Sequence, residues 1–208
     1  MSQPFDRGAT LPAPGKLDAS LGEFWVGDPW AISDQNNLSG YERNRTYLNV
    51  NGTNFLDVSY LTGADSDGDG RCSVAVDLNL DGRQDLIVRQ AGGGPLLVYE
   101  NRFPTRHWLD VSLVGAESNR LGIGARLTAS IGDRELVREL FPVNSYRSQA
   151  LSRVHFGLGR ADSIDRLTIL WPSGKSQELT AVKADRHVVI REGQPREETV
   201  TPGVTIRP

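Results

Sequence analysis

The densest chemistry in this sequence is the run Asp77-Leu78-Asn79-Leu80-Asp81-Gly82-Arg83-Gln84-Asp85. Oxygen-bearing side chains stand at loop positions one, three, five and nine, with glycine at six. Ca²⁺ takes about six to eight oxygen ligands, so alternate side chains must turn inward while a glycine allows the sharp bend. Arg83, at position seven, would contribute its backbone carbonyl. An EF-hand would supply a bidentate glutamate at position twelve between two helices, but that position is Val88, inside the strand-like Leu86-Ile87-Val88. The loop therefore feeds a sheet. Just upstream, Asp65-Ser66-Asp67-Gly68-Asp69-Gly70-Arg71-Cys72-Ser73 repeats the spacing, with Asp65, Asp67, Asp69 and Ser73 as its oxygen set. Carboxylates this crowded repel one another unless a cation or water screens them. In the first loop that favours a structural Ca²⁺ over aspartates capping their own turns; in the second the two readings stand level.

A second group of residues could contact a ligand. Tyr146, Arg147, Ser148 and Gln149 set polar groups beside an aromatic, and His155 follows within the strand-like Val154-His155-Phe156. A structural role is the stronger reading for them, because sequence spacing alone does not make them converge. Trp171 reads as a core residue before a sugar-stacking one, and Gly122-Ile123-Gly124 lacks the dinucleotide fingerprint. His107 and His187 have no companion at zinc-ligand spacing. Ser148, His155 and an aspartate could be combined on paper, yet no nucleophile elbow is present and Cys72 lies in an apolar run. Catalysis is disfavoured, with a metal-dependent hydrolase as the residual enzymatic reading.

The elements around these residues alternate with a period near two from Arg45 onward. Thr46 to Val50 and Phe55 to Ser59 flank Asn51-Gly52, a strong hairpin signal. Ten further strand-like runs, His107 to Val114 among them, follow from Cys72 to Ile190, broken by turns every eight to twelve residues. A short helical piece is compatible with Ala181 to Asp185. With 22 Gly and 11 Pro among 208 residues, the composition suits short strands rather than a helical bundle. The reading is an all-β chain in four parts. Residues 1–40 form an extended arm bearing Phe5, Phe24, Trp25 and Trp30; 41–102 a β-meander with the Asp-rich loops; 103–193 a sandwich-like β domain; and 194–208 a flexible tail. A net charge of −3 with scattered arginines disfavours nucleic acid. No run is long and apolar enough to span a membrane, and the start of the chain lacks the apolar centre of a signal peptide.

The residues 40–102, with the loop at Asp77 to Asp85 and Leu97-Val98-Tyr99-Glu100-Asn101 closing them, resemble an FG-GAP or VCBS-type repeat, the calcium-binding blade unit of integrin-like propellers. The residues 107–192 are similar to the ASPIC/UnbV domain. The resemblance rests on Ser118-Asn119-Arg120-Leu121-Gly122-Ile123-Gly124-Ala125-Arg126, Ser145 to Gln149, Val154-His155-Phe156-Gly157-Leu158-Gly159 and Trp171-Pro172-Ser173-Gly174. Together they resemble the cartilage acidic protein 1-like family. That resemblance implies a propeller-blade-like β-meander packed with a β-sandwich-like domain, binding Ca²⁺ and a protein or glycan in adhesion or matrix contacts, with no established reaction. It also implies a secreted, cell-surface or periplasmic setting, whereas the absent signal sequence leaves the cytoplasm open. A single blade cannot close a propeller. The alternative is therefore a structural or assembly subunit, anchored in a larger complex by its N-terminal arm.

Overall fold

The computed structural model describes residues 3–4, 36–37, 43–66, 68, 70–90, 96–145 and 148–200. The regular structure among the described residues is almost wholly strand: β1 (Gln3–Pro4), β2 (Asn36–Asn37), β3 (Tyr47–Val50), β4 (Asn54–Asp57), β5 (Gly70–Val76), β6 (Asp85–Gln90), β7 (Leu97–Tyr99) and β8 (His107–Val114) come first. They are followed by β9 (Arg126–Ile131), β10 (Arg134–Glu139), β11 (Val143–Ser145), β12 (Ser148–Gln149), β13 (Val154–Gly159), β14 (Ser163–Leu170), β15 (Ser176–Lys183), β16 (Arg186–Arg191) and β17 (Glu197–Thr199). One short helix, α1 (Ser59–Thr62), follows β4. The all-β expectation holds.

The chain divides into two compact units, 1–73 with 87–99, and 74–86 with 100–208. The division departs from the expected boundary near residue 102: the loop at Asp77 to Asp85 belongs to the second unit and not to the first. Most of the expected arm, with its four aromatics, lies outside the described residues, as do the turn residues 91–95.

In the first unit, β3 and β4 pair antiparallel with Leu48 opposite Leu56 and Val50 opposite Asn54. Asn51 and Gly52 turn the hairpin at φ 56° and 74°, the left-handed backbone that the Asn-Gly pair tolerates best. β5, β6 and β7 form a three-stranded sheet in sequence order, separate from the β3–β4 hairpin that the expected meander over 41–102 would have included, and the unit boundary runs through β5 and β6.

The second unit is a sandwich of two four-stranded sheets, ordered β10-β9-β14-β15 and β13-β8-β16-β17. Alternate residues point inward, so Leu109, Val111 and Leu113 of β8 meet Leu127 and Ala129 of β9 in one core with Phe156, Ile169 and Trp171. β16 runs parallel to β8, with Val188 beside Val111. The helical piece entertained at Ala181 to Asp185 is strand and turn instead. Ala181 takes φ 54°, and it and Asp165 drop out of an otherwise unshifted β14–β15 register, so that Leu179 and Val182 both face the core opposite Leu167 and Ile164 despite their three-residue spacing. The flexible tail expected from residue 194 is likewise corrected for Glu197–Thr199, whose backbone completes the sheet edge beside β16.

Candidate functional site

The structure gathers Asp77, Asn79, Asp81, Arg83 and Asp85 into one turn between β5 and β6. Asp77 accepts the amide N–H of Asp81 at 3.1 Å and of Gly82 at 2.7 Å, one on each carboxylate oxygen. Asp85, only 2% exposed, accepts the N–H of Leu78 at 3.0 Å and of Asn101 at 2.8 Å. Asn79 accepts the Asp81 N–H at 3.2 Å, and Asp81 accepts the Arg83 N–H at 2.9 Å. Leu80 and Gly82 turn the chain at φ 61° and 83°. The Arg83 side chain bridges three partners: it pairs with the Asp81 carboxylate, donates to the Asn101 carbonyl at 2.7 Å and reaches Thr105 Oγ1 at 3.1 Å.

This donor set is chemically suited to Ca²⁺ at Asp77 and Asp85, whose oxygens accept one bond each and can take a second, whereas Asp81 Oδ2 already accepts from both Asn79 and Arg83. Its arrangement is that of a turn capped by its own side chains, with Arg83 supplying the cation that the crowded aspartates call for. Among the described residues no three His, Cys, Asp or Glu side chains are grouped so as to hold a metal ion. In the upstream loop, Asp65 pairs with Arg43 at 2.8 Å, while Asp67 and Asp69 lie outside the described residues. Ser73 stands four residues into β5, so this second stretch does not keep the loop spacing expected from its sequence.

The first loop is seated on the outer face of the β8 sheet. A Cβ at Gly82 would fall 1.9 Å from Trp108 Nε1, so only glycine allows this approach. Trp108 stacks on His155, with ring centroids 6.3 Å apart and planes 16° from parallel. His155 Nδ1 lies 2.8 Å from Asp110 Oδ1 and must carry the proton, because a carboxylate only accepts. Arg153 donates to the second Asp110 oxygen at 3.1 Å. Asp110 is 3% exposed, so its charge is balanced by two donors within a largely desolvated site. Asp77, Asp110, Arg153 and His155 line a cavity of about 40 Å³, enough for ordered water and little more. Next along β16, His187 Nε2 meets Ser112 Oγ at 2.8 Å. Burial, then the nearby Arg153 charge, pushes His187 down to about 4.

Of the expected ligand surface, Tyr146 and Arg147 lie outside the described residues, Ser148 and Gln149 form β12, and His155 is engaged by Asp110. Trp171 is 2% exposed and donates to Gln177 Oε1 at 3.0 Å, which makes it a core residue.

Sequence reasoning missed Glu192. One of its oxygens accepts the consecutive N–H groups of Ala116, Glu117 and Ser118, each at 2.8 Å. The other takes Ser173 Oγ at 2.6 Å and Ser118 Oγ at 3.0 Å. Burial pushes this carboxyl up, but the Ser173 bond and the amide bonds outweigh it and hold it at about 2. A Cβ at Gly122 would lie 2.8 Å from Leu113 and 3.3 Å from Trp171, so the Ser118 to Gly124 and Trp171 to Gly174 motifs meet here around one carboxylate. These residues lock the fold rather than open a site.

Among the described residues no helix is long and apolar enough to cross a membrane. No curated protein matches the chain. The two motifs that meet at Glu192 lie within residues 115–197, which match the family described as ASPIC and UnbV, and an ASPIC/UnbV domain is therefore found over that stretch.

Proposed function

We propose that this chain is a non-enzymatic interaction module that presents a rigid ASPIC/UnbV sandwich and takes a protein partner on the β3–β4 hairpin of its first unit. One observation carries the reading. Leu48, Phe55 and Leu56 on the hairpin, and Tyr60 and Leu61 on α1, are exposed, from 47% at Leu48 to 88% at Tyr60. A two-stranded hairpin has no core of its own, and this one exposes Leu48 and Leu56 on one face and Tyr47 and Phe55 on the other, which marks an interaction surface. Leu48 and Leu56, opposite each other across the hairpin, make one face aliphatic, which favours protein over glycan as the occupant.

The FG-GAP-like reading of residues 40–102 and an adhesion or matrix role fit the same proposal. An assembly subunit would use the same surface against a permanent neighbour. Ca²⁺ enters as a stabiliser of the loop, held by the side chains of Asp77, Asn79, Asp81 and Asp85 and the Arg83 carbonyl. Binding it requires Asp81 to exchange its pairing with Arg83.

The test compares the tagged full chain with a Leu56→Ser/Tyr60→Ser variant, each isolated from extracts of the source cells. A defined protein that co-elutes stoichiometrically with the wild type and is lost from the variant is expected, with unchanged unfolding of the sandwich. Equal recovery with both chains would contradict the assignment.

A further inference from the structure

A second surface, independent of the hairpin, lies at one end of the sandwich. A cavity of about 440 Å³ opens where β8 begins, β13 ends and the β15–β16 turn passes, within the size range of small-ligand sites. Its walls include Arg106, His107, Trp108, Arg160 and Asp185. The corner is irregular for a structural reason: the β13–β8 register shifts between Gly157 and Gly159, and Gly159 takes φ 70°. Bulges of this kind re-aim side chains at strand ends.

The charges are arranged asymmetrically. His107 Nδ1 lies 2.7 Å from Asp185 Oδ2, and the Trp108 N–H donates to Asp185 Oδ1 at 3.3 Å, which fixes this carboxylate at the rim. Arg106 bonds only the neighbouring Thr105 carbonyl, at 3.0 Å, and among the described residues neither it nor Arg160 pairs with an acid. Two exposed arginines that pair with no acid among the described residues suit a planar anion such as a carboxylate or sulfate. The Asp185 carboxylate opposes a polyphosphate or a purely acidic peptide, yet can accept hydroxyl protons. A ligand that offers both hydroxyl donors and an anionic substituent is an acidic sugar.

We propose that this cavity binds an acidic saccharide, its carboxylate or sulfate on Arg106 and Arg160 and a hydroxyl on Asp185. Calorimetric titration of the full chain tests it, with tetragalacturonate and a chondroitin sulfate tetrasaccharide as acidic probes. Cellotetraose, hexaglutamate and inorganic phosphate serve as the controls. Saturable binding of at least one acidic saccharide is expected, weakening about tenfold or more in Arg106→Ala/Arg160→Ala. Both arginines are exposed, so the variant keeps the wild-type melting curve. Asp185→Asn should weaken the same probe without creating affinity for phosphate. No binding of either acidic saccharide up to about 10 mM would overturn the proposal. So would equal affinity for hexaglutamate or phosphate, or binding indifferent to the arginine pair.

Discussion

Glu192 and His187 each add a pH window to the stability of the second unit, through opposite chemistry. Glu192 sits at about 2 against an ordinary 4.5, so its contribution is complete above pH 4.5 and disappears as pH falls through that window toward 2. His187 is held neutral, at about 4 against an ordinary 6.5. Its unfolded form therefore binds the proton first, and stability is full above pH 6.5 and declines between 6.5 and 4. Discounted for partial solvent access, the histidine effect is about 1–2 kcal/mol. Urea unfolding across pH should show both windows. His187→Gln, which can retain a bond to Ser112, should flatten the upper one, and Glu192→Gln should flatten the lower one while reducing stability at pH 7. A loss between pH 6.5 and 4 that survives in His187→Gln would assign that window to another group. None of this was legible in the sequence, because the Glu192 oxygens meet Ser173, 19 residues away, and the Ala116 to Ser118 amides, 74 to 76 residues away.

The loop from Asp77 to Asp85 is the element whose behaviour is most open to measurement. Gly82 combines a left-handed backbone with contact against Trp108. Gly82→Ala should therefore destabilise the second unit by about 1–3 kcal/mol in urea unfolding. Ca²⁺ that binds only the folded loop should raise the melting temperature relative to EGTA, by a stabilisation of about 2.7 kcal/mol at one hundred times the dissociation constant. Arg83→Ala should lower the melting temperature in EGTA and tighten Ca²⁺ binding, since the guanidinium that competes for Asp81 is gone. A melting temperature indifferent to Ca²⁺ in both proteins would leave the loop as a self-capped turn. The spacing of oxygens and the Gly at position six were readable directly. The role of Arg83 was not, because its side-chain partners Asn101 and Thr105 come from beyond β7. Strand periods located β8 to the residue, His107 to Val114, whereas α1, β11, β12 and β17 are too short to carry a period of their own.

At the scale of the whole molecule, the two units rest on different physics. The sandwich has one continuous core, and Phe156→Ala there should cost about 3–5 kcal/mol. The β3–β4 hairpin instead keeps its apolar residues exposed, and that contrast is the basis for assigning it a protein partner. Alternating hydrophobicity revealed the sandwich, but it could not reveal which strands lack a cover, nor that β5 and β6 are shared between units. The most direct measurement places a photo-crosslinking residue at Tyr60, and in a second protein at Glu135 on the exposed strand β10, in the source cells. A discrete adduct to one protein from position 60, competed by the unmodified chain and absent from position 135, is the predicted result. No adduct at position 60, or the same adducts from both positions, would contradict the account.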